Sequence, residues 1–229
     1  MKKLDWQDTY DDLGYDSALG TTFADDATRR RVIRDSVPDE SGQLWLDQIP
    51  ITLNPFQRSI YFQVNFGNLL HSNNDHAILP TELSDGIEVA SEKLGVHLGS
   101  SRLIGLHVAG SSKTDAEPTT YYPHIRSSPR YQLFQEGDTL YINNRKANVK
   151  SDITRVFYPK NMTDETTGEI FYRLRMEDRI HRHLRTHLKL GKEFPILQLD
   201  DLKDPCFFEA SINWWKRDLE RFMLPEIKK

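Results

Sequence analysis

The sequence predicts an α+β domain with a mostly antiparallel central sheet and helices packed on one side. Three observations carry that prediction. Residues Ser59–Phe66 alternate strictly, with Ile60, Phe62, Val64 and Phe66 on one face and polar residues or Tyr61 on the other. Two short apolar runs, Arg130–Phe134 and Thr139–Asn143, flank Glu136-Gly137-Asp138, the signature of a hairpin turn. Near the end of the chain Phe208, Ile212, Trp215, Leu219 and Phe222 recur at helical spacing behind an Asp204-Pro205 start, a pattern of core packing.

The remaining elements follow in order. Residues 1–44 read as an acidic arm ahead of a domain over 45–229, because they are rich in Asp, Thr and Gly and show little apolar periodicity. After the Ser59–Phe66 strand comes a turn-rich stretch, His71-Ser72-Asn73-Asn74-Asp75. A helix then starts near Thr81, shows Leu83, Ile87, Ala90 and Leu94 on one face, and stops at Gly95. Arg102–Ala109 is an apolar strand, and Thr119–Ile125 a short helix limited by Pro123. Ile153–Tyr158 and Ile170–Met176 are two further strands, separated by a polar loop with Pro159, Asn161 and Gly168. A helix over Asp178–Leu190 follows, with Ile180, Leu184 and Leu188 as its stripe.

Composition excludes several classes. The 229 residues are only 38% apolar, below the ~45–50% of an average globular chain, so the surface is extensive and polar. No run of about 18 apolar residues exists, so no membrane span is expected. The start has two lysines without an apolar stretch behind them, so a secretory leader is not expected either. The single Cys206 allows no internal disulfide or cysteine metal cluster, which fits a reducing, cytoplasmic setting.

Charge is unevenly spread. The formal net charge of −4 is that of the first 42 residues, where ten acids face six bases. Residues 126–192 hold fourteen bases against eight acids, and Arg175, Arg179, Arg182, Arg185 and Lys189 crowd its last part. Such a run is either a solvated face or a surface that contacts phosphates.

Short catalytic motifs are missing: there is no phosphate-loop glycine pattern, no HExxH and no GxSxG. Candidate chemistry therefore falls on dispersed side chains. Tyr158 and Lys160 form one pair, since a nearby ammonium helps a phenol reach the phenolate needed for nucleophilic attack. Taken alone, a Tyr at a strand end is more often a half-buried packing residue. Glu177, flanked by Arg175 and Arg179, can hold a divalent metal or simply pair with those arginines. His107 shares a sparsely filled strand face with Gly105 and Ala109. Together with a carboxylate from an adjacent strand it can make a Mg2+ or Mn2+ site. His183 and His187, four apart, suit a DNA-facing or solvated role better than a metal.

Taken in order, these segments resemble the rolling-circle replication initiators of filamentous phages, the gene II/X family, and related phage and plasmid replication proteins. The similar pieces are the Ile60–Phe66 strand with Leu69-Leu70-His71-Ser72-Asn73-Asn74, then Gly105-Leu106-His107-Val108-Ala109, then Gly137-Asp138-Thr139-Leu140-Tyr141-Ile142-Asn143-Asn144. Phe157-Tyr158-Pro159-Lys160 with Glu165, and Leu174-Arg175-Met176-Glu177-Asp178-Arg179, complete the series over residues 45–223. The resemblance implies a nicking-domain fold and a site-specific single-strand endonuclease that also rejoins DNA through a 5′-phosphotyrosine link. It implies Tyr158 as nucleophile with Tyr141 in reserve, Lys160 as electrostatic helper, and Glu177 and His107 as ligands of Mg2+ or Mn2+. The implied partners are single-stranded or supercoiled origin DNA, held by Arg175, Arg179, Arg182, Arg185 and Lys189, and host helicase or polymerase in the host cytoplasm. His107 stands where the family has Asp, Gly105 where it has Arg, and Pro159 where it has Asp. The long carboxy-terminal region of many relatives is not expected. A non-catalytic DNA-binding regulator on the same scaffold, or an interaction domain without nucleic acid, are the competing readings.

Overall fold

The computed structural model describes residues 10–72, 77–126, 131–144, 151–163 and 170–222. Arg130, Asn73–Asp75, Glu165, Gly168 and the first nine residues of the expected arm lie outside them. The chain runs β1 (Tyr10–Phe23), α1 (Asp26–Asp35), β2 (Val37–Pro38), β3 (Leu44–Leu46), β4 (Ile49–Asn54), β5 (Ser59–Asn65), α2 (Phe66–His71) and α3 (Leu83–Leu94). It continues with β6 (Arg102–Lys113), a 3-10 turn (Pro118–His124), β7 (Tyr131–Glu136), β8 (Thr139–Asn144), β9 (Ile153–Pro159), β10 (Met162–Thr163) and β11 (Ile170–Phe171). The last elements are β12 (Arg173–Ile180), α4 (Leu184–Leu188), a second 3-10 turn (Leu199–Lys203) and α5 (Pro205–Leu219).

Ten strands form one sheet in the order β2-β3-β4-β5-β1-β6-β12-β9-β8-β7, and every neighbouring pair is antiparallel. The expected α+β class with an antiparallel sheet is what the chain adopts. Helix α5 is capped as its residues require: Asp204 accepts from the amides of Cys206 and Phe207, and Pro205 fills the first turn. It packs against β6 and β1, and α4 packs against β6 and α5. Gly110 permits the close approach, because a Cβ there would stand 2.9 Å from the Trp215 ring. The turn Leu199–Lys203 touches both α3 and α5 and ties them together. Among the described residues no helix is long and apolar enough to cross a membrane.

Two expectations are corrected. Residues 1–44 are not an arm over their described part: Tyr10–Phe23 is an inner strand of the sheet, paired with β5 on one edge and β6 on the other. Its alternation is hidden because the β1–β6 ladder places an extra residue in β1 twice, between Asp11 and Gly14 and between Tyr15 and Ser17; a third slip, at Leu19 and Gly20, puts the extra residue in β6. The rest of the segment contributes α1, capped by Asp25 through the Thr28 amide, and β2. The helix expected over Asp178–Leu190 is likewise shorter. Asp178, Arg179 and Ile180 continue β12, and the helix comprises only Leu184–Leu188.

Asp178 is tolerated on the apolar side of β12 by a buried ion cluster. Arg155 of β9 donates from Nε to Asp218 of α5, and Asp178 Oδ1 lies 3.8 Å from the same nitrogen. The guanidinium lies over the rings of Phe222 and Tyr131, 4.3 and 5.0 Å from their centres, and those two rings meet edge-on. Burial, reinforced by Asp218 and opposed by Arg155, drives the Asp178 carboxyl well up and favours its neutral form.

Two predictions follow from this packing. A chain beginning at residue 45 lacks an inner strand and is expected to show no cooperative thermal transition by circular dichroism; a native-like transition would contradict the sheet order. Arg155→Met leaves the buried Asp218 with only the exposed Arg221, 3.4 Å away, and is expected to cost about 3 kcal/mol in urea unfolding, whereas Arg155→Met with Asp218→Leu recovers most of the loss.

Candidate metal centre

The middle of the sheet has two chemically different faces, because successive side chains of a strand point to opposite sides. On β12, Leu174, Met176, Asp178 and Ile180 form the side that meets Arg155, while Arg175, Glu177 and Arg179 point the other way. Cross-strand pairing then selects their neighbours. Arg175 lies opposite Ser111, Glu177 opposite Ala109, and Arg179 opposite His107 on β6. On the other edge of β12, Arg175 lies opposite Tyr158 of β9. His107 in turn lies opposite Ser17 of β1.

Asp16 joins them through a bulge. Tyr15 pairs with Val108 and Ser17 with His107, so two steps along β1 match one along β6, and Asp16 is the extra residue. Asp16, His107 and Glu177 are 4, 5 and 3% exposed, and each offers a ligand atom within 4.8 Å of the others.

The hydrogen bonds interlock. His107 Nδ1 lies 3.1 Å from Glu177 Oε1 and 2.9 Å from Ser17 Oγ. Arg179 donates from Nε to Glu177 Oε1 at 2.8 Å and from Nη2 to Oε2 at 3.3 Å. Tyr158 Oη donates to Glu177 Oε2 at 3.4 Å. Arg175, fully buried, donates to Asp16 Oδ1 at 3.0 Å and to Ser111 Oγ at 3.4 Å, and Ser17 donates to Asp16 Oδ2 at 3.1 Å. Since an ionised carboxylate has no proton to give, this network assigns the imidazole proton to Nδ1. His107 Nε2 is buried without a hydrogen-bond partner.

Electrostatics follow from the same contacts. Burial pushes the Glu177 carboxyl up, but His107 and Arg179 outweigh it and hold it well below the usual carboxylate range. Burial pushes the Tyr158 phenol strongly up, and the Glu177 charge adds to this against the opposing pull of Arg175 and Arg179. His181, just beyond β12, packs edge-on to His107 with ring centres 6.1 Å apart and bonds Thr154 Oγ1 at 3.1 Å through Nε2. Burial, with the charges of His107, Arg179 and Arg182, lowers its pKa from 6.5 to about 4.

The group could hold a divalent cation. Two carboxylates and an imidazole are a hard oxygen and nitrogen donor set suited to Mn2+ or, with more water, Mg2+. Ligands about 2.1 Å from one ion lie within roughly 4.2 Å of each other, so the three side chains need close in by only a few tenths of an ångström.

The structure brings together Tyr158, Glu177, His107, Arg175 and Arg179 of the residues expected from sequence. Arg175 and Arg179 are built into this buried network and are not part of an open basic helix. Lys160 follows β9 two residues after Tyr158, its amide bonded to Arg173 O at 2.8 Å. Tyr141 is separate: it sits on β8 opposite Val156, stacked 4.9 Å from Phe134. Arg182 faces Asp152 at 3.5 Å, Arg185 donates to the carbonyls of Gly191 and Pro195, and Lys189 caps α4 in a left-handed conformation. Asp16 escaped sequence reasoning, although a lone acid inside the apolar run Leu13–Leu19 is the mark of a buried, partnered charge.

No protein-family model, curated protein or solved structure matches the chain. The chemistry of this face is therefore the basis for any functional reading. The shielding of His181 is directly measurable: its ring protons are expected to titrate in NMR with a midpoint near 4 rather than 6.5. Because the folded pKa is depressed, the stability it contributes is full above pH 6.5 and is lost as pH falls toward 4. A midpoint near 6.5 would show an unshielded ring.

Proposed function

We propose that this protein is a divalent-cation-dependent enzyme that nicks and rejoins one DNA strand, with Tyr158 as its nucleophile, to start rolling-circle replication. The observation that carries the reading is the convergence of Tyr158 with Asp16, His107 and Glu177 on one sheet face. Two of the sequence elements that resemble the gene II/X family, around Tyr158 and Glu177, lie on the paired strands β9 and β12.

In this reading the Tyr158 oxygen bonds to phosphorus while the bond from phosphorus to the 3′ oxygen breaks. The phenol donates to Glu177 Oε2 at 3.4 Å, but that carboxylate is held too acidic to keep the proton, so the phenol proton is released to solvent as Tyr158 attacks and a solvent proton completes the departing 3′ oxygen, leaving a 3′-OH and a 5′-phosphotyrosine. Rejoining is the reverse. Asp16, His107 and Glu177 would hold a divalent cation, whose positive charge would polarise the phosphate and offset the phenolate. Lys160 adds a further positive charge to the same end of β9.

One observation favours the second reading, a DNA-binding regulator without cleavage: both site carboxylates already have an arginine partner. The two readings differ on one gel. Incubation with single-stranded or supercoiled DNA and Mn2+ is expected to give a protein–DNA adduct that survives denaturing electrophoresis. Tyr158→Phe is expected to abolish it, and Tyr141→Phe to preserve it. An adduct persisting in Tyr158→Phe would assign the nucleophile elsewhere. Salt-sensitive DNA binding without any adduct under Mg2+ or Mn2+ would establish the regulator.

A further inference from the structure

An ionised carboxylate offers about four lone-pair positions, two on each oxygen. In Glu177 all four are taken: Oε1 by His107 Nδ1 and Arg179 Nε, Oε2 by Arg179 Nη2 and Tyr158 Oη. A cation can be ligated by Glu177 only if one donor leaves. His107 belongs to the ligand set itself. Tyr158 carries no charge as a phenol, and its bond is the longest of the four. Arg179 holds two positions, bears the same sign of charge as the incoming ion, and has a side chain 33% exposed, whereas Glu177 is 2% exposed. Arg175, the other guanidinium of the network, is fully buried on Asp16 and Ser111 and has no comparable way out.

We propose that Arg179 is a displaceable stopper of this site: it neutralises Glu177 until a divalent cation arrives, and then turns its guanidinium outward to hold a DNA phosphodiester. The inference rests on the cation-dependent reading given above. A guanidinium on a flexible stem presents the same planar fork to phosphate as to carboxylate, so the exchange trades one bidentate anion for another. The exchange also keeps the cluster near charge balance. The cation replaces the arginine's charge beside Glu177, and the phosphate supplies the anion that the arginine has lost. Metal and DNA would therefore bind as a coupled pair, each stabilising the state the other needs.

Two titrations on the full chain test this, with Arg179→Gln and Arg179→Lys beside the natural protein. The first follows free Mn2+ by electron paramagnetic resonance. The second follows the anisotropy of a labelled single-stranded oligonucleotide, with and without Mn2+, at constant ionic strength. Arg179→Gln frees Glu177 and removes a like charge, so it is expected to bind Mn2+ about tenfold more tightly, with Arg179→Lys between. In the natural protein Mn2+ is expected to raise oligonucleotide affinity, and in Arg179→Gln that increment is expected to vanish. A purely structural arginine would weaken both affinities together, so the opposite signs are diagnostic. Mn2+ binding by Arg179→Gln but not by the natural protein would support the stopper in its strongest form. Equal or weaker Mn2+ binding by Arg179→Gln, with the natural protein binding normally, would overturn the stopper and leave the metal site standing. Binding by none of the three proteins would remove the metal site and the stopper together. A persisting increment in Arg179→Gln would overturn the phosphate role. If Arg179→Gln does not fold, as judged by circular dichroism, Arg179→Lys decides each point.

Discussion

Everything on the polar sheet face is organised around the crowding of one carboxylate. Glu177 is buried within a ten-stranded sheet, in surroundings that oppose a charge, and it stays ionised because an imidazole and an arginine outweigh the burial, with a phenol as third donor. Each of those donors is delivered by a different feature of the backbone. Arg179 comes from two residues along the same strand, His107 from the facing position of β6, and Tyr158 from β9. Asp16 is supplied by the bulge in β1 and has its own buried arginine. The face is thus nearly neutral in sum while dense in charge. Either arginine can be removed only by leaving a buried carboxylate charge uncompensated. The crowding also defines what a ligand must bring to enter: a charge able to replace an arginine, at coordination distance.

How far this was readable beforehand depended on whether the chain signalled its geometry locally. Helix α5 was legible because Asp204, Pro205 and a stripe of aromatics agree on one answer. The β7–β8 hairpin was legible because Gly137 takes the left-handed conformation its turn requires. β1 was not. Two extra residues erase its two-residue period, and its middle carries Asp16 and Ser17 for contacts made with strands about ninety or more residues away. The end of β12 misled for a different reason. Ile180, Leu184 and Leu188 do recur every four residues, but the first belongs to the strand and the other two to a short helix beyond a turn at His183.

The candidate site shows the same division. His107, Tyr158 and Glu177 could be singled out as residue types, since an imidazole, a phenol near a lysine and a carboxylate between arginines each suggest chemistry. Their convergence could not be read from spacing, because it is created by register: Arg179 opposite His107, and Arg175 opposite both Ser111 and Tyr158. The basic stretch was legible as charge and misleading as surface. Its arginines at 175 and 179 are turned inward by the strand period, while those at 182 and 185 are engaged by Asp152 and by main-chain carbonyls.

The two adjacent acids of β12 have a consequence for how the sheet assembles. Glu177 faces one side with Arg179 and His107, and Asp178 faces the other with Arg155 and Asp218. If β12 paired one step out of place, its whole pattern would be inverted. Arg175, Glu177 and Arg179 would be driven against the indole-lined side, and Leu174, Met176 and Ile180 would be left among charges. A misaligned strand is therefore rejected twice, once on each side of the sheet, by different sets of ions. The pair of carboxylates works like a two-sided key, in which assembly of the β-sheet and completion of the site are the same event.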